Sequence, residues 1–207
     1  MKLPPPHLLI ATHNQGKLHE FSTLLATVSA RLCHLGEFPD VSEIPETGST
    51  FKENANLKAR GYCQQTGLTT LADDSGLEVE ALNGAPGVLS ARYGGPNATD
   101  SQRIYKLLDE LDITGSPNRR ARFICVVAIV VPGNDTVRVF RGTCEGMIAT
   151  APRGPSGFGY DPVFVPDGYE KTFGELPADV KQQISHRARA IVAAKEYLAA
   201  FFKEPHA

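Results

Sequence analysis

The 207-residue chain predicts a mixed α/β fold (α/β or α+β), in which a sheet is flanked by helices. Two observations predict it. Short apolar runs of β-forming residues alternate with stretches of helical periodicity, which is the pattern of α/β and mixed α+β chains. No linker-like or low-complexity stretch interrupts the alternation, so residues 1–207 read as one domain, in which any two lobes would share a sheet.

His7 to Ala11 reads as a buried first strand, and the polar turn Thr12-His13-Asn14-Gln15-Gly16-Lys17 follows it. Leu18, Phe21, Leu24, Leu25 and Val28 then keep helical spacing. A second helix opens at Thr50, where Thr50 and Glu53 have capping-box spacing. Phe51, Ala55, Ala59 and Tyr62 form its apolar face, and Gly67 is its stop. Leu68 to Ala72 reads as a strand running into Asp73-Asp74-Ser75-Gly76. Leu77 to Leu82 reads as another strand, ended by the turn Asn83-Gly84-Ala85-Pro86-Gly87. Thr99 and Gln102 repeat the capping box before a helix carrying Ile104, Leu107, Leu108 and Leu111. Phe123 to Val131 and Val137 to Arg141 flank the turn Pro132-Gly133-Asn134-Asp135 and predict a long hairpin. Arg153 to Asp161 is a glycine-rich loop. The last helix is expected from near Ser185 to Phe202, with Ile191, Leu198 and Phe202 facing inward.

The composition narrows the function class. A hydrophobic content of 42% supports a real core. A net charge of −2 and a pI near 6.3 lack the basic footprint of a duplex-binding protein. Cys33, Cys63, Cys125 and Cys144 include no CxxC pair and no zinc-finger spacing to a His, so they read as free thiols in a reducing cytoplasm. The start Met-Lys-Leu-Pro-Pro-Pro lacks an apolar signal core. No window approaches the roughly 18 apolar residues of a membrane span. The expected location is cytoplasmic, with neither nucleic acid nor membrane as a partner.

Four groups of residues can carry chemistry. The strand–turn–helix at Thr12 to Lys17 offers backbone N–H groups, the positive end of a helix dipole and a lysine to a phosphate, although it is not a P-loop. Glu46 and Asp73-Asp74 supply carboxylates of the kind that Mg²⁺ shares with substrate phosphates. Asn54 and Lys58 sit four apart on one helix face, away from the apolar one. Phe158-Gly159-Tyr160-Asp161, with Lys181 and Ser185-His186-Arg187, offers an aromatic ring for stacking together with donors and acceptors for a base edge. Arg187 at a helix start opposes the dipole and so calls for a reason.

These blocks resemble the inosine-triphosphate pyrophosphatase family, and its bacterial branch most. The resemblance is carried by Ala11 to Lys17, by Glu46-Thr47-Gly48-x-Thr50-Phe51-x-Glu53-Asn54-Ala55-x-x-Lys58-Ala59 and by Asp73-Asp74-Ser75-Gly76-Leu77. It continues through Gly84 to Gly87, Ser90 to Tyr93, Phe158 to Pro162 and Ser185 to Arg187. It implies a long mixed sheet with helices in two lobes around a central substrate cleft, a Mg²⁺ requirement and a homodimer. It also implies hydrolysis of ITP, dITP and XTP to the monophosphate and pyrophosphate. By resemblance, Thr12, His13, Asn14, Gln15, Gly16 and Lys17 bind phosphate, Lys58 lies on the phosphate side and Ser75 touches substrate. Asp74 is the proton acceptor and a metal ligand, and Glu46 completes the metal site. Phe158, Gly159, Tyr160, Asp161, Lys181, His186 and Arg187 surround the base. The sequence departs from the family at His13, where Gly is common, and at Pro45, where some members have a second acid.

Two other readings stay open on the sequence. A relative acting on modified pyrimidine nucleotides is opposed by the paired donors His186 and Arg187, which suit a 6-oxopurine. A nucleotide-binding regulator without turnover is opposed by the intact set Lys17, Glu46, Lys58 and Asp74.

Overall fold

The structure, a computed structural model, describes residues 6–203; most of the N-terminal segment read above for a signal core lies outside them. Six strands and five helices occur in the order β1 (His7–Ile10), α1 (Gln15–Leu24), β2 (Arg31–His34), α2 (Phe51–Thr66), β3 (Thr69–Val79), α3 (Asp100–Thr114), β4 (Arg120–Val130), β5 (Arg138–Ile148), β6 (Phe164–Pro166), α4 (Ala178–Ile184) and α5 (His186–Phe201). The strands form one sheet in the order β2-β1-β3-β4-β5-β6. β1 pairs in parallel with β2 and β3, while β5 and β6 are antiparallel, so the sheet is mixed.

The chain divides into two compact units. The first runs up to Asp74, takes up Cys125–Gly142 and resumes at Arg187; the second comprises Ser75–Ile124 and Thr143–His186. Strands β3, β4 and β5 each contribute residues to both. In the first unit, Leu8 and Ile10 of β1, Phe21 of α1, Val127 and Ile129 of β4 and Ile191, Ala194 and Leu198 of α5 form one core. In the second, Leu77 and Val79, the α3 face Ile104, Leu107, Leu108 and Leu111, and Phe123, Phe164 and Phe173 form another. Burying each large side chain contributes about 1.5–3 kcal/mol, which makes these two clusters the main source of stability.

The capping signals act as their spacing predicts. Thr50 and Thr99 each accept the backbone N–H three residues on, and Glu53 and Gln102 reach back to the cap. Gly67 ends α2 in the left-handed region at φ 67°, where a Cβ would be strained.

Several expected elements differ. The two strands expected around Asp73–Gly76 are one strand, β3, so the acids lie within it rather than at its end. After Val79 the chain makes a single 3-10 turn, Glu80–Leu82, and Asn83 closes it at φ 54°. Helix α1 starts at Gln15 and stops at Leu24, so Leu25 and Val28 are buried beyond its end. β5 extends to Ile148, beyond the expected Arg141, and β2, β6 and α4 were not expected. All four cysteines are free and buried. No described helix is long and apolar enough to cross a membrane.

Candidate active site

The first unit gathers its charges around β3. Successive strand residues face opposite sides, and Asp73 and Asp74 have different partners accordingly. Asp73 meets Lys17 at 2.9 Å and Arg187 at 3.8 Å. Asp74 accepts a hydrogen bond from Asn54 Nδ2 at 3.0 Å. Lys58, one turn further along α2, pairs with Glu46. Arg187 pairs with Glu20 as well as with Asp73, which answers why a cation sits in the first turn of α5.

The two neighbouring aspartates are pushed in opposite directions. Burial alone would raise Asp73, but Lys17, Arg187 and Lys58 outweigh it and hold the carboxyl below the ordinary range. Burial raises Asp74 to about 6, Glu46 adds to the rise, and Lys58, Lys17 and Asn54 offset only part of it. Lys58 is buried too, yet Asp73, Glu46 and Asp74 raise it and keep it charged.

The turn from Thr12 to Lys17 leads into a helix as its sequence suggests. Asn14 caps α1, its Oδ1 accepting from Lys17 N at 2.9 Å, and Thr12 Oγ1 accepts from Asn14 N at 3.2 Å. Gln15, Gly16 and Lys17 therefore make the first helical turn. His13 needs no glycine, because Asn83 is the only non-glycine with positive φ among the described residues. Its Nε2 lies 3.3 Å from the Tyr62 hydroxyl.

The second unit builds an aromatic site. Asp161, 2% exposed, accepts from Phe158 N at 2.8 Å and pairs with buried Lys181. The Lys181 ammonium stands 4.6 Å from the centroid of Phe158 and 5.7 Å from that of Phe173. Gly159 N donates to Asp100 at 2.7 Å, and Tyr160 OH donates to the Ser90 carbonyl at 3.0 Å. Buried His186 stacks on Phe123 at 4.6 Å. Tyr160 and Asp161 thus anchor the loop through their own buried contacts.

The profile of the Ham1 family matches residues 8–197. The chain belongs to the Ham1 family. A relative from Geobacillus kaustophilus named dITP/XTP pyrophosphatase is 49% identical over 189 residues, covering 91% of this chain and 92% of the relative. The solved HAM1 protein of Coxiella burnetii superposes with a TM-score of 0.87 at 43% identity, covering 94% of this chain and 99% of that one. The Staphylococcus aureus Ham1 protein gives 0.84 at 41% identity, covering 94% and 99%.

Against this Ham1 background the expected residues fall into two sets. Thr12 to Lys17, Glu46, Lys58, Asp74 and Arg187 lie in the first unit; Ser75, Phe158 to Asp161, Lys181 and His186 lie in the second. Of the pair His186 and Arg187 expected beside the base, Arg187 shares its charge with Glu20 and Asp73. Sequence reasoning singled out Asn54 and Asp73 without assigning either a role, and it missed Glu20, which nothing in the sequence marks.

Proposed function

We propose that the chain hydrolyses non-standard purine nucleoside triphosphates (ITP, dITP, XTP) to the monophosphate and pyrophosphate, keeping them out of DNA and RNA. The observation that carries this reading is the opposed pair Asp73 and Asp74. One is held ionised against Lys17, and the other is pushed toward neutrality, where a carboxylate readily takes a proton. The relatives' name, dITP/XTP pyrophosphatase, supports the substrate class.

In this scheme Lys17, Lys58 and the α1 N-terminus bind the triphosphate and stabilise charge as it develops. Asp74 orients a water, takes its proton, and directs it to the α-phosphorus. Phe158 stacks on the base, and Lys181 and His186 present donors toward a 6-oxo group, which adenine replaces with a donor.

A divalent cation, Mg²⁺ by chemistry, fits the same cluster. Four carboxylates (Glu20, Glu46, Asp73, Asp74) face three cations (Lys17, Lys58, Arg187), and Glu46 raises the cost of ionising Asp74. No group of three or more His, Cys, Asp or Glu that could hold a metal occurs among the described residues. Two carboxylates completed by water and phosphate oxygens are the set Mg²⁺ commonly uses. Glu46 and Asp74 would hold it, and bound there it would neutralise the triphosphate. The chain acts in this reading as a single domain, a homodimer and a cytoplasmic enzyme.

Pyrophosphate release from dITP, XTP, dATP and a modified dCTP, with and without Mg²⁺, tests the proposal. We expect metal-dependent release that favours dITP and XTP. Release from the pyrimidine alone, or none from any substrate, overturns it.

A further inference from the structure

Asn54 is fully buried and joins two segments that carry the proposed chemistry. Its Oδ1 accepts from the backbone N–H of Gly48 at 2.7 Å, two residues past Glu46. Its Nδ2 donates to Asp74 Oδ2 at 3.0 Å. The contact with Gly48 is close enough to exclude a side chain there. A Cβ on residue 48 would lie 2.8 Å from Asn54 Oδ1 and 2.6 Å from Glu53 Cβ.

The polarity of this bridge is forced. A backbone N–H can only donate, so the amide atom facing Gly48 is the oxygen. The atom facing Asp74 is then the –NH₂ group, which can only donate. Asp74 Oδ2 is therefore held as an acceptor, in one fixed direction along the bridge.

We infer that Asn54 is a positioning residue for the hydrolytic step: it fixes the plane of the Asp74 carboxylate and ties that carboxylate to the Glu46 segment. The inference deepens the pyrophosphatase reading and rests on it for the step concerned. Asp at position 54 could still accept from Gly48 N–H, but it would set a carboxylate oxygen against Asp74 Oδ2 where a donor now stands. Asn54→Asp thus keeps one arm of the bridge and inverts the other.

The test compares wild type, Asn54→Asp and the double variant Asn54→Asp/Asp74→Asn, using dITP kinetics and thermal melting. The double variant restores a donor–acceptor pair with its direction reversed. In folded Asn54→Asp we expect kcat to fall by roughly 10²-fold, the scale of a misplaced reacting group, with KM within about threefold. A merely structural role would lower the melting temperature without separating kcat from KM. We also expect the double variant to melt nearer wild type than Asn54→Asp while staying inactive. A folded Asn54→Asp with kcat within about threefold of wild type overturns the inference. If Asn54→Asp does not fold, recovery of melting in the double variant supports the bridge, and absence of recovery overturns it. Should wild type release no pyrophosphate, the functional reading fails separately, and the melts alone decide the Asn54–Asp74 bridge.

Discussion

In the first unit, Lys17, Lys58 and Arg187 share one network with Glu20, Glu46, Asp73 and Asp74. In the second, the Asp161–Lys181 ion pair is bounded by Phe158 and Phe173, and His186 lies flat on Phe123. The first cluster is charged throughout, which suits the triphosphate that every nucleotide brings. The second pairs ring faces with a few donors, which suits the one part that differs between nucleotides. Rate and choice should therefore separate on mutation.

The largest effect is expected at Asp74. Asp74→Asn keeps the shape and can still accept from Asn54 after an amide turn. We expect pyrophosphate release to fall about 10²–10⁴-fold from loss of the proton acceptor alone, with circular dichroism unchanged. Near-normal release by the folded variant would break the assignment of chemistry to the first unit.

Arg187 sharpens the comparison, because sequence reasoning places it with the base and its ion pairs place it with the acids. Breaking a buried ion pair costs about 3–5 kcal/mol, and we expect Arg187→Ala to lose that much in urea unfolding. We expect the preference for dITP over dATP to survive. A collapse of that preference at unchanged stability would return Arg187 to base recognition.

A smaller effect is expected from the lysines. Lys17→Ala and Lys58→Ala each remove a charged donor worth about 1.5–3 kcal/mol, so kcat/KM should fall roughly 10- to 100-fold for every triphosphate alike. An effect confined to one base, seen in steady-state kinetics on dITP, XTP, dGTP and dATP, would count against the division of roles.

The smallest effect is expected at Phe158. Phe158→Ala should weaken binding by about 1–3 kcal/mol through lost stacking, raising KM more than it lowers kcat. A fall in kcat with KM unchanged would mean the ring acts on the chemistry.

Much of this was legible in the sequence because it is local. The capping boxes at Thr50 and Thr99, the stop at Gly67 and the Asn14 turn each need only a few neighbouring residues. The long strand β3 was divided because Asp-Asp-Ser-Gly is made of turn-forming residues. It stays extended because Lys17 and Arg187 meet Asp73 while Asn54 meets Asp74. Arg31–His34 and Phe164–Pro166 are too short to show a period, and Gly142 and Gly146 read as interruptions of β5. The acids and lysines of the site were visible as residues. Their pairing was not, since Lys17 and Asp73, or Glu20 and Arg187, are joined only by the fold.

The division of the chain into units has a consequence for its synthesis. The backbone passes between them at four peptide bonds, and Ala190, Ile191, Ala194 and Leu198 complete the core around Leu8 and Ile10. β1 therefore leaves the ribosome well before α5, the helix that covers it. At roughly 5–20 residues per second, the wait is on the order of ten to forty seconds. During that interval the apolar β1 and Phe21 have no native cover from α5, and that face of the nascent chain stays open to other apolar surfaces.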